Sequence, residues 1–182
     1  DLEMCNNCKR ASCIHPNICK NLNNSHQPLI DLYDKARKLK GIKKVFIGSG
    51  VRYDLFQEKG HCNDSSLRKY PEELIKHHVS GRLKVAPEHT HDHVLKVMRK
   101  PSFSQFEKFK VQFDRINSQN NLKQQIIPYF ISAHPGCSLE DMAELAVKTK
   151  NLNYRLQQVQ DFTPTPMTLA TVMFYTGLDP HT

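Results

Sequence analysis

The chain has 182 residues, a formal net charge of +8, 38% hydrophobic residues and 24% charged residues. This length allows one domain with a buried core, and the composition is ordinary for a globular protein. No apolar run approaches the roughly 20 residues that a membrane-spanning helix needs, and the first residues do not resemble a signal peptide. We therefore predict a cytoplasmic protein with no membrane partner.

Helical periodicity alternates along the chain with short apolar strands. The predicted helices cover 28–39, 71–79, 91–98, 103–116 and a segment capped by Ser138. The predicted strands begin near Lys43, Arg82, Gln125 and Arg155. Their starts lie roughly 30 to 40 residues apart, which is the length that a strand and a crossover helix require. The pattern predicts an α/β fold with parallel strands in sequence order, but periodicity does not choose between a barrel and a doubly wound sheet.

Polar side chains follow each predicted strand. They are Arg52 and Asp54 after the first strand, Glu88 and His89 after the second, Ser132 and His134 after the third, and Gln160 and Asp161 in the fourth. The carboxyl ends of parallel strands meet at one edge of a sheet, where ligands bind. We therefore expect Glu88, Ser132, His134 and Gln160 to share one mouth.

Two of these strand ends leave alternatives open. The alternation of the second strand places Leu83, Val85 and Pro87 towards the helices, and Lys84 and Glu88 on the other face. Glu88 then either faces a ligand or pairs with Lys84 inside the fold. In the same way, Arg52 with Asp54 is either a carboxylate grip or a surface ion pair, and His134 either contacts substrate or makes a structural hydrogen bond.

Four of the six cysteines crowd the start of the chain, at Cys5, Cys8, Cys13 and Cys19. A C-x2-C pair can chelate one ion from a tight turn, whereas the five residues between Cys13 and Cys19 are a looser spacing than usual. Disulfides are disfavoured in the predicted compartment. We predict that residues 1–27 form a Cys-rich segment that binds zinc or another metal. The alternatives are a set of reduced, buried thiols, or metal ligands whose partner ligands lie outside this chain.

A family resemblance is carried by five segments: CNNCKRASCIHPNIC, GIKKVFIGSGVRYD, HHVSGRLKVAPEHT, PYFISAHPG and QVQDFTPTPMTLATVMFYTG. They resemble the carboxyl-terminal part of the radical SAM core in proteins of the YgiQ type, and the resemblance covers essentially the whole chain. It implies that residues 28–182 form a partial (β/α) barrel. It also implies an iron-sulfur enzyme with a [4Fe-4S] cluster that reductively cleaves S-adenosylmethionine to a 5'-deoxyadenosyl radical and acts on an unknown substrate.

The strand ends and the same resemblance together indicate which residues would bind the cofactor. Glu88 would accept a hydrogen bond from a ribose hydroxyl of S-adenosylmethionine, and the segment around Ser132, His134 and Gly136 would approach the adenine and the ribose. Gln160 would contribute a polar group from the last strand. These five residues are the predicted cofactor-binding set.

The sequence departs from the family in its cysteines. The family's cluster motif is C-x3-C-x2-C, but the four clustered cysteines are separated by two, four and five residues. We therefore expect a fragment of a longer protein that holds the last four parallel strands of the barrel, with the cluster ligands outside it. Such a fragment alone should be inactive, and its open barrel edge should favour self-association.

Two other functions fit parts of the sequence. The net charge and the cysteines suit a zinc-stabilised nucleic-acid-binding module, although the basic residues are scattered. The densest basic group runs from Lys35 to Lys44, and a solvated helix face and strand edge explain it better than a phosphate-binding patch does. The third alternative is a structural or interaction domain with no catalytic role.

Overall fold

The computed structural model describes residues 5–57, 65–154 and 159–180. In chain order its elements are α1 Gln27–Arg37, α2 Asp54–Gln57, α3 Ser66–His77, β1 Arg82–Glu88, α4 Asp92–Val97, α5 Phe103–Gln119, β2 Gln125–Ser132, α6 Leu139–Asn151, β3 Val159–Asp161 and α7 Leu169–Thr176. From β1 onwards, each strand is followed by helical structure, as expected for an α/β chain. Over the described ranges, no helix has the length and apolar character needed to cross a membrane.

The three strands form one parallel sheet in the order β1-β2-β3. Leu83 of β1 pairs with Ile126 of β2, and Phe130 of β2 pairs with Val159 of β3. This confirms parallel pairing in sequence order for the last three predicted strands. The predicted start of the fourth, Arg155, lies outside the described residues. The fold is thus α/β with a small sheet that is not closed.

The first of the four predicted strands is wrong. In the described part of that segment, one isolated parallel bridge joins Val51 to Val85 in place of a strand. The backbone N–H of Ile47 donates to the carbonyl oxygen of His78 at 2.9 Å. The Nδ1 atom of the His78 ring lies 2.8 Å from the Val45 carbonyl oxygen. Because the end of α3 takes these backbone groups, the segment has fewer left to pair with β1.

The core lies between one face of the sheet and the helices. Phe130 is fully buried on that face, and α5 supplies an apolar stripe. The stripe consists of Phe103, Phe106, Phe109, Phe113 and Ile116. Its spacing of three and four residues confirms the predicted helix, and burial of each such side chain stabilises the fold by roughly 1.5–3 kcal/mol. The sheet is thereby fixed from one side.

Helix α3 begins earlier than predicted. Its expected first residue, Pro71, lies inside the helix, which starts at Ser66. Tyr70 and Leu74 are both buried, so the packing stripe extends to the N-terminal side of the proline. Proline at the start of a helix is common, but here burial of the preceding turn outweighs the backbone hydrogen bond that a proline cannot donate.

Sequence analysis does not predict helix α7, although both of its ends carry helix-capping residues. The Thr168 side chain accepts a hydrogen bond from the backbone N–H of Thr171, and Gly177 ends the helix with a φ of 70°. These are an ordinary N-cap and C-cap. Most of its apolar side chains are exposed, so it lacks the amphipathic stripe by which the other helices were recognised.

The carboxyl ends of β1 and β2 have unusual backbone conformations. Glu88 has a φ of 67°, and Ala133, directly after β2, has a φ of 56°. The register also shifts between Val85 and Glu88, which bends the end of β1. Residues with a side chain adopt such angles at an energetic cost, and such strain clusters at functional sites. The edge where ligands were expected is therefore the strained edge of the sheet.

Candidate functional site

Glu88 is a buried carboxylate at the end of β1, with only 8% of the residue exposed. Its Oε1 accepts a hydrogen bond from Lys100 Nζ at 2.8 Å. Its Oε2 is buried and has no hydrogen-bond partner among the described residues. Glu88 therefore forms its ion pair with Lys100 and not with Lys84, which is exposed. A buried acceptor without a donor is costly and calls for an explanation.

Arg52 and Asp54 lie close to Glu88. Arg52 Nε donates to Asp54 Oδ1 at 3.1 Å, and Arg52 Nη2 donates to the other carboxylate oxygen. The bond to Asp54 raises the pKa of Arg52, and the charge of Glu88 acts in the same direction. Burial raises the pKa of Tyr53, again with help from Asp54 and Glu88. The predicted Arg52 and Asp54 pair therefore exists and borders the Glu88 carboxylate.

His134 is the second predicted residue near Glu88, and only 7% of it is exposed. Its Nδ1 lies 2.8 Å from the Pro135 carbonyl oxygen, and its ring packs edge-on against Phe162 at 5.2 Å. Burial lowers the pKa of His134, while the Pro135 bond and the negative charge of Glu88 oppose that change. With Nδ1 donating to Pro135, Nε2 is left as an acceptor.

Ser132 and Gln160 lie on the neighbouring strands but make different contacts. The Ser132 hydroxyl donates to the Asp161 carboxylate, and the Tyr129 hydroxyl donates to the side-chain oxygen of Gln160. Ser132 is half-buried, whereas Gln160 is exposed. The structure therefore brings Glu88 and His134 within electrostatic reach, and it ties Ser132 to the end of β3. Cofactor binding by these residues remains a prediction.

Gly136 allows the loop after β2 to pack against α4. Its φ is 83°, and a Cβ built there would lie 3.4 Å from Val97 Cγ2. Gly136 and His134 line a cleft of about 450 Å³ that also reaches Met173 of α7. A larger cavity of about 570 Å³ lies beside Arg82, at the amino end of the sheet. We favour the smaller cleft because ligands bind at carboxyl ends in parallel sheets.

The four clustered cysteines are the predicted metal ligands of the first segment of the chain. Cys5, Cys8 and Cys13 are exposed, Cys19 is half-buried, and all four are free thiols. Among the described residues, no three of these sulfurs lie within 4.8 Å of one another. Metal binding by this segment remains a prediction.

A histidine cluster that the sequence did not reveal lies beside this edge. His91, His93 and Asp141 each offer a ligand atom, and these atoms all lie within 4.8 Å of one another. His91 precedes α4, His93 lies in its first turn, and Asp141 lies in the first turn of α6. The sequence shows histidines at alternating positions, but only the fold shows that α6 places the Asp141 carboxylate opposite His91 and His93.

His89 and Cys137 lie next to the histidine cluster. His89 Nδ1 accepts a hydrogen bond from the backbone N–H of His91 at 3.0 Å, and its Nε2 lies 3.6 Å from Cys137 Sγ. Burial lowers the pKa of His89 to about 4. Burial also raises the pKa of Cys137. At neutral pH this pair is therefore a neutral imidazole beside a neutral thiol, not an activated nucleophile.

The densest basic group is partly neutralised by carboxylates. Arg37 lies 2.8 Å from Glu73, and Lys38 lies 2.6 Å from Asp34. Paired basic side chains attract phosphate less than unpaired ones do. Pairing therefore weakens the attraction of Arg37 and Lys38 for phosphate, and the nucleic-acid-binding alternative remains a prediction.

Comparisons with known proteins give relatives without a stated function. A UPF0313 protein of Bacteroides thetaiotaomicron is 62% identical over 184 residues, covering 100% of this chain and 30% of that protein. A UPF0313 protein of Porphyromonas gingivalis is 59% identical and covers 100% of the chain and 29% of that protein. A UPF0313 protein of Clostridium perfringens is 51% identical and covers 96% of the chain and 26% of that protein. The chain thus spans less than a third of these relatives.

Residues 157–182 match the model of a domain of unknown function, DUF3362. No solved structure matches the chain. The chain is therefore similar over its whole length to UPF0313 proteins, and its chemistry has to be inferred from its own residues.

Proposed function

We propose that this chain supplies the carboxyl-terminal part of a radical SAM core, with its strand ends forming part of the S-adenosylmethionine site. The observation that carries the proposal is the buried Glu88 Oε2, which lacks a donor among the described residues. A ribose hydroxyl would provide that donor. The parallel strand order and the resemblance of the strand-end segments support the same assignment.

The residues of this chain fit S-adenosylmethionine and do not fit the cluster. The strand-end site offers the buried Glu88 oxygen without a partner, the acceptor nitrogen of His134 and a cleft that His134 lines. The thiols offer no group of three within ligand distance of one another in the described part, and no C-x3-C-x2-C motif occurs in the sequence. We therefore assign the cluster to a segment outside these residues and derive no step through it.

The chain's own groups would bind and orient the cofactor. S-adenosylmethionine would supply a 5'-deoxyadenosyl radical, and the protein's part is positioning and electrostatics. Lys100 holds one oxygen of Glu88 at 2.8 Å, which fixes the carboxylate so that Oε2 can accept from a ribose hydroxyl. His134 would add a second acceptor, and the burial of both side chains would exclude water from their contacts.

The test is cofactor affinity in a longer protein that carries these residues together with an upstream C-x3-C-x2-C segment. Glu88→Gln should weaken S-adenosylmethionine binding about tenfold or more in equilibrium dialysis, because the carboxylate's bond to a hydroxyl is stronger than an amide's. Glu72→Gln is the matched control, since Glu72 is an exposed glutamate paired with Lys76 on α3. It should leave affinity unchanged.

Thermal unfolding of the same variants separates the two roles of Glu88. We expect Glu88→Gln to unfold at nearly the wild-type temperature while its affinity falls. Unchanged affinity together with a large loss of stability would contradict the proposal, because Glu88 would then serve the ion pair with Lys100 alone.

A further inference from the structure

The histidine cluster joins two loops that follow neighbouring strands. His93 Nε2 lies 3.1 Å from Asp141 Oδ2, and His91 Nδ1 lies 3.9 Å from Asp141 Oδ1. The two imidazole rings are 5.4 Å apart between centroids. Two imidazoles from the loop after β1 therefore converge on one carboxylate of α6.

This set of donors is one that divalent transition metals prefer. Imidazole nitrogen and carboxylate oxygen bind Zn²⁺ at about 2.0–2.2 Å, which places tetrahedral ligand atoms about 3.4 Å apart. Two of the present separations, 3.1 Å and 3.9 Å, are close to that value. The side chain of His93 is 56% exposed. A small rotation of its ring can therefore bring its nitrogen closer to the other ligand atoms without disturbing the core.

A second carboxylate orients His91. Its Nε2 lies 2.6 Å from Glu144 Oε2, which places the ring proton on Nε2 and leaves Nδ1 with a lone pair on the side of Asp141. Metal-binding histidines characteristically donate their other ring N–H to a carboxylate in this way. Glu144 thus acts on the cluster through His91.

The backbone around the cluster is fixed by bonds that leave the proposed ligands available. Asp92, between the two histidines, accepts from the backbone N–H of Phe103 at 3.0 Å and from the Ser102 hydroxyl at 2.9 Å. Asp141 Oδ2 accepts from the backbone N–H of Ser138 at 2.8 Å, so the other oxygen faces His91. The start of α4 is therefore anchored to α5, and the carboxylate is held by its own helix.

We propose that His91, His93 and Asp141 bind a divalent transition metal such as Zn²⁺, with Glu144 as the positioning residue for His91. Three protein ligands leave a coordination position for water. The site is separate from the cofactor site proposed above, and it would clamp the loop after β1 to α6. The inference does not depend on the radical SAM assignment.

Zn²⁺ alone is the probe, measured by isothermal titration of the whole chain in which Cys5, Cys8, Cys13 and Cys19 are replaced by serine. We expect one Zn²⁺ equivalent, and its affinity should fall at least tenfold in His93→Asn. His77→Asn is the matched control because His77 is an exposed histidine, paired with a carboxylate of its own helix α3. Equal Zn²⁺ affinity in the parent and in His93→Asn would overturn the proposal.

Glu144→Gln tests the orienting role, with Glu140→Gln, one turn earlier on α6, as the control. Glu144→Gln should lower Zn²⁺ affinity roughly 10- to 100-fold, and Glu140→Gln should not. Bound Cu²⁺ should show hyperfine coupling to two imidazole nitrogens by electron paramagnetic resonance in the parent and to one in His93→Asn. A spectrum without imidazole coupling would contradict the ligand set.

Discussion

At the scale of single residues, the protonation of His134 depends on its burial and on the nearby charge of Glu88. Burial lowers its pKa, so the folded protein holds a neutral imidazole whose Nε2 can accept a hydrogen bond. The unfolded chain binds a proton on the same residue near pH 6.5. Between the lowered pKa and pH 6.5, the unfolded state therefore carries more protons than the folded state.

This difference makes folding stability depend on pH. The free energy of unfolding should fall as pH decreases below about 6.5, because stability falls wherever the unfolded state binds more protons. His134→Gln should show a shallower fall over that window than the wild type, measured by urea unfolding at a series of pH values. Parallel curves for the two proteins would show that His134 does not titrate differently in the folded state.

Sequence reasoning found some of the site and missed the rest for identifiable reasons. The strand-end rule located Glu88 and His134, since parallel strands align their carboxyl ends. Alternation could not fix the direction of Glu88, because the register shift and its φ of 67° interrupt the strand. Lys100 as the partner of Glu88, and Asp141 facing His91, depend on tertiary packing that no local pattern encodes.

At the scale of elements, α5 contributes a stripe of buried apolar side chains to the core. Phe106 of this helix is 0% exposed, whereas Val111 on the same helix is 70% exposed. Phe106→Ala should lower the free energy of unfolding by about 3–5 kcal/mol, because it leaves a cavity in the core. Val111→Ala should change it by about 0.5 kcal/mol or less. Urea unfolding measures both, and equal effects would contradict the assigned core.

Helix α6 depends on its first turn, where Ser138 and Asp141 form a capping box. The Ser138 hydroxyl accepts from the Asp141 backbone N–H at 3.2 Å. Ser138→Ala should therefore cost about 1 kcal/mol of stability. Ser118→Ala, at an exposed position near the end of α5, is the control and should be nearly neutral. Equal melting temperatures for the two variants would argue against the cap.

The elements were predictable where periodicity or caps act locally. The phenylalanine spacing of α5 and the Ser138 cap of α6 were sufficient because both signals lie within one helix. The prediction of a first strand was wrong for the segment before Gly48. Its apolar residues resemble those of a strand, but its backbone hydrogen bonds go to His78. The competition between β1 and α3 for those bonds is a tertiary effect.

At the scale of the whole molecule, the sheet is open and one side of it is largely uncovered. Tyr129 and Ile131 are only half-buried, and on α7 the side chains of Phe174 and Tyr175 are 51% and 75% exposed. Apolar surface of this kind is typical of contact with another segment or another copy. Self-association of the isolated chain therefore remains a prediction, measurable as concentration-dependent sedimentation.

Formation of 5'-deoxyadenosine under anaerobic, strongly reducing conditions tests the radical SAM assignment most directly. The chain of 182 residues alone should give none above a no-protein control, because it lacks the C-x3-C-x2-C motif. A longer protein that adds an upstream segment with that motif should form the product, and Glu88→Gln should reduce it. Product from the isolated chain, or none from the longer protein after iron and sulfide reconstitution, would contradict the assignment.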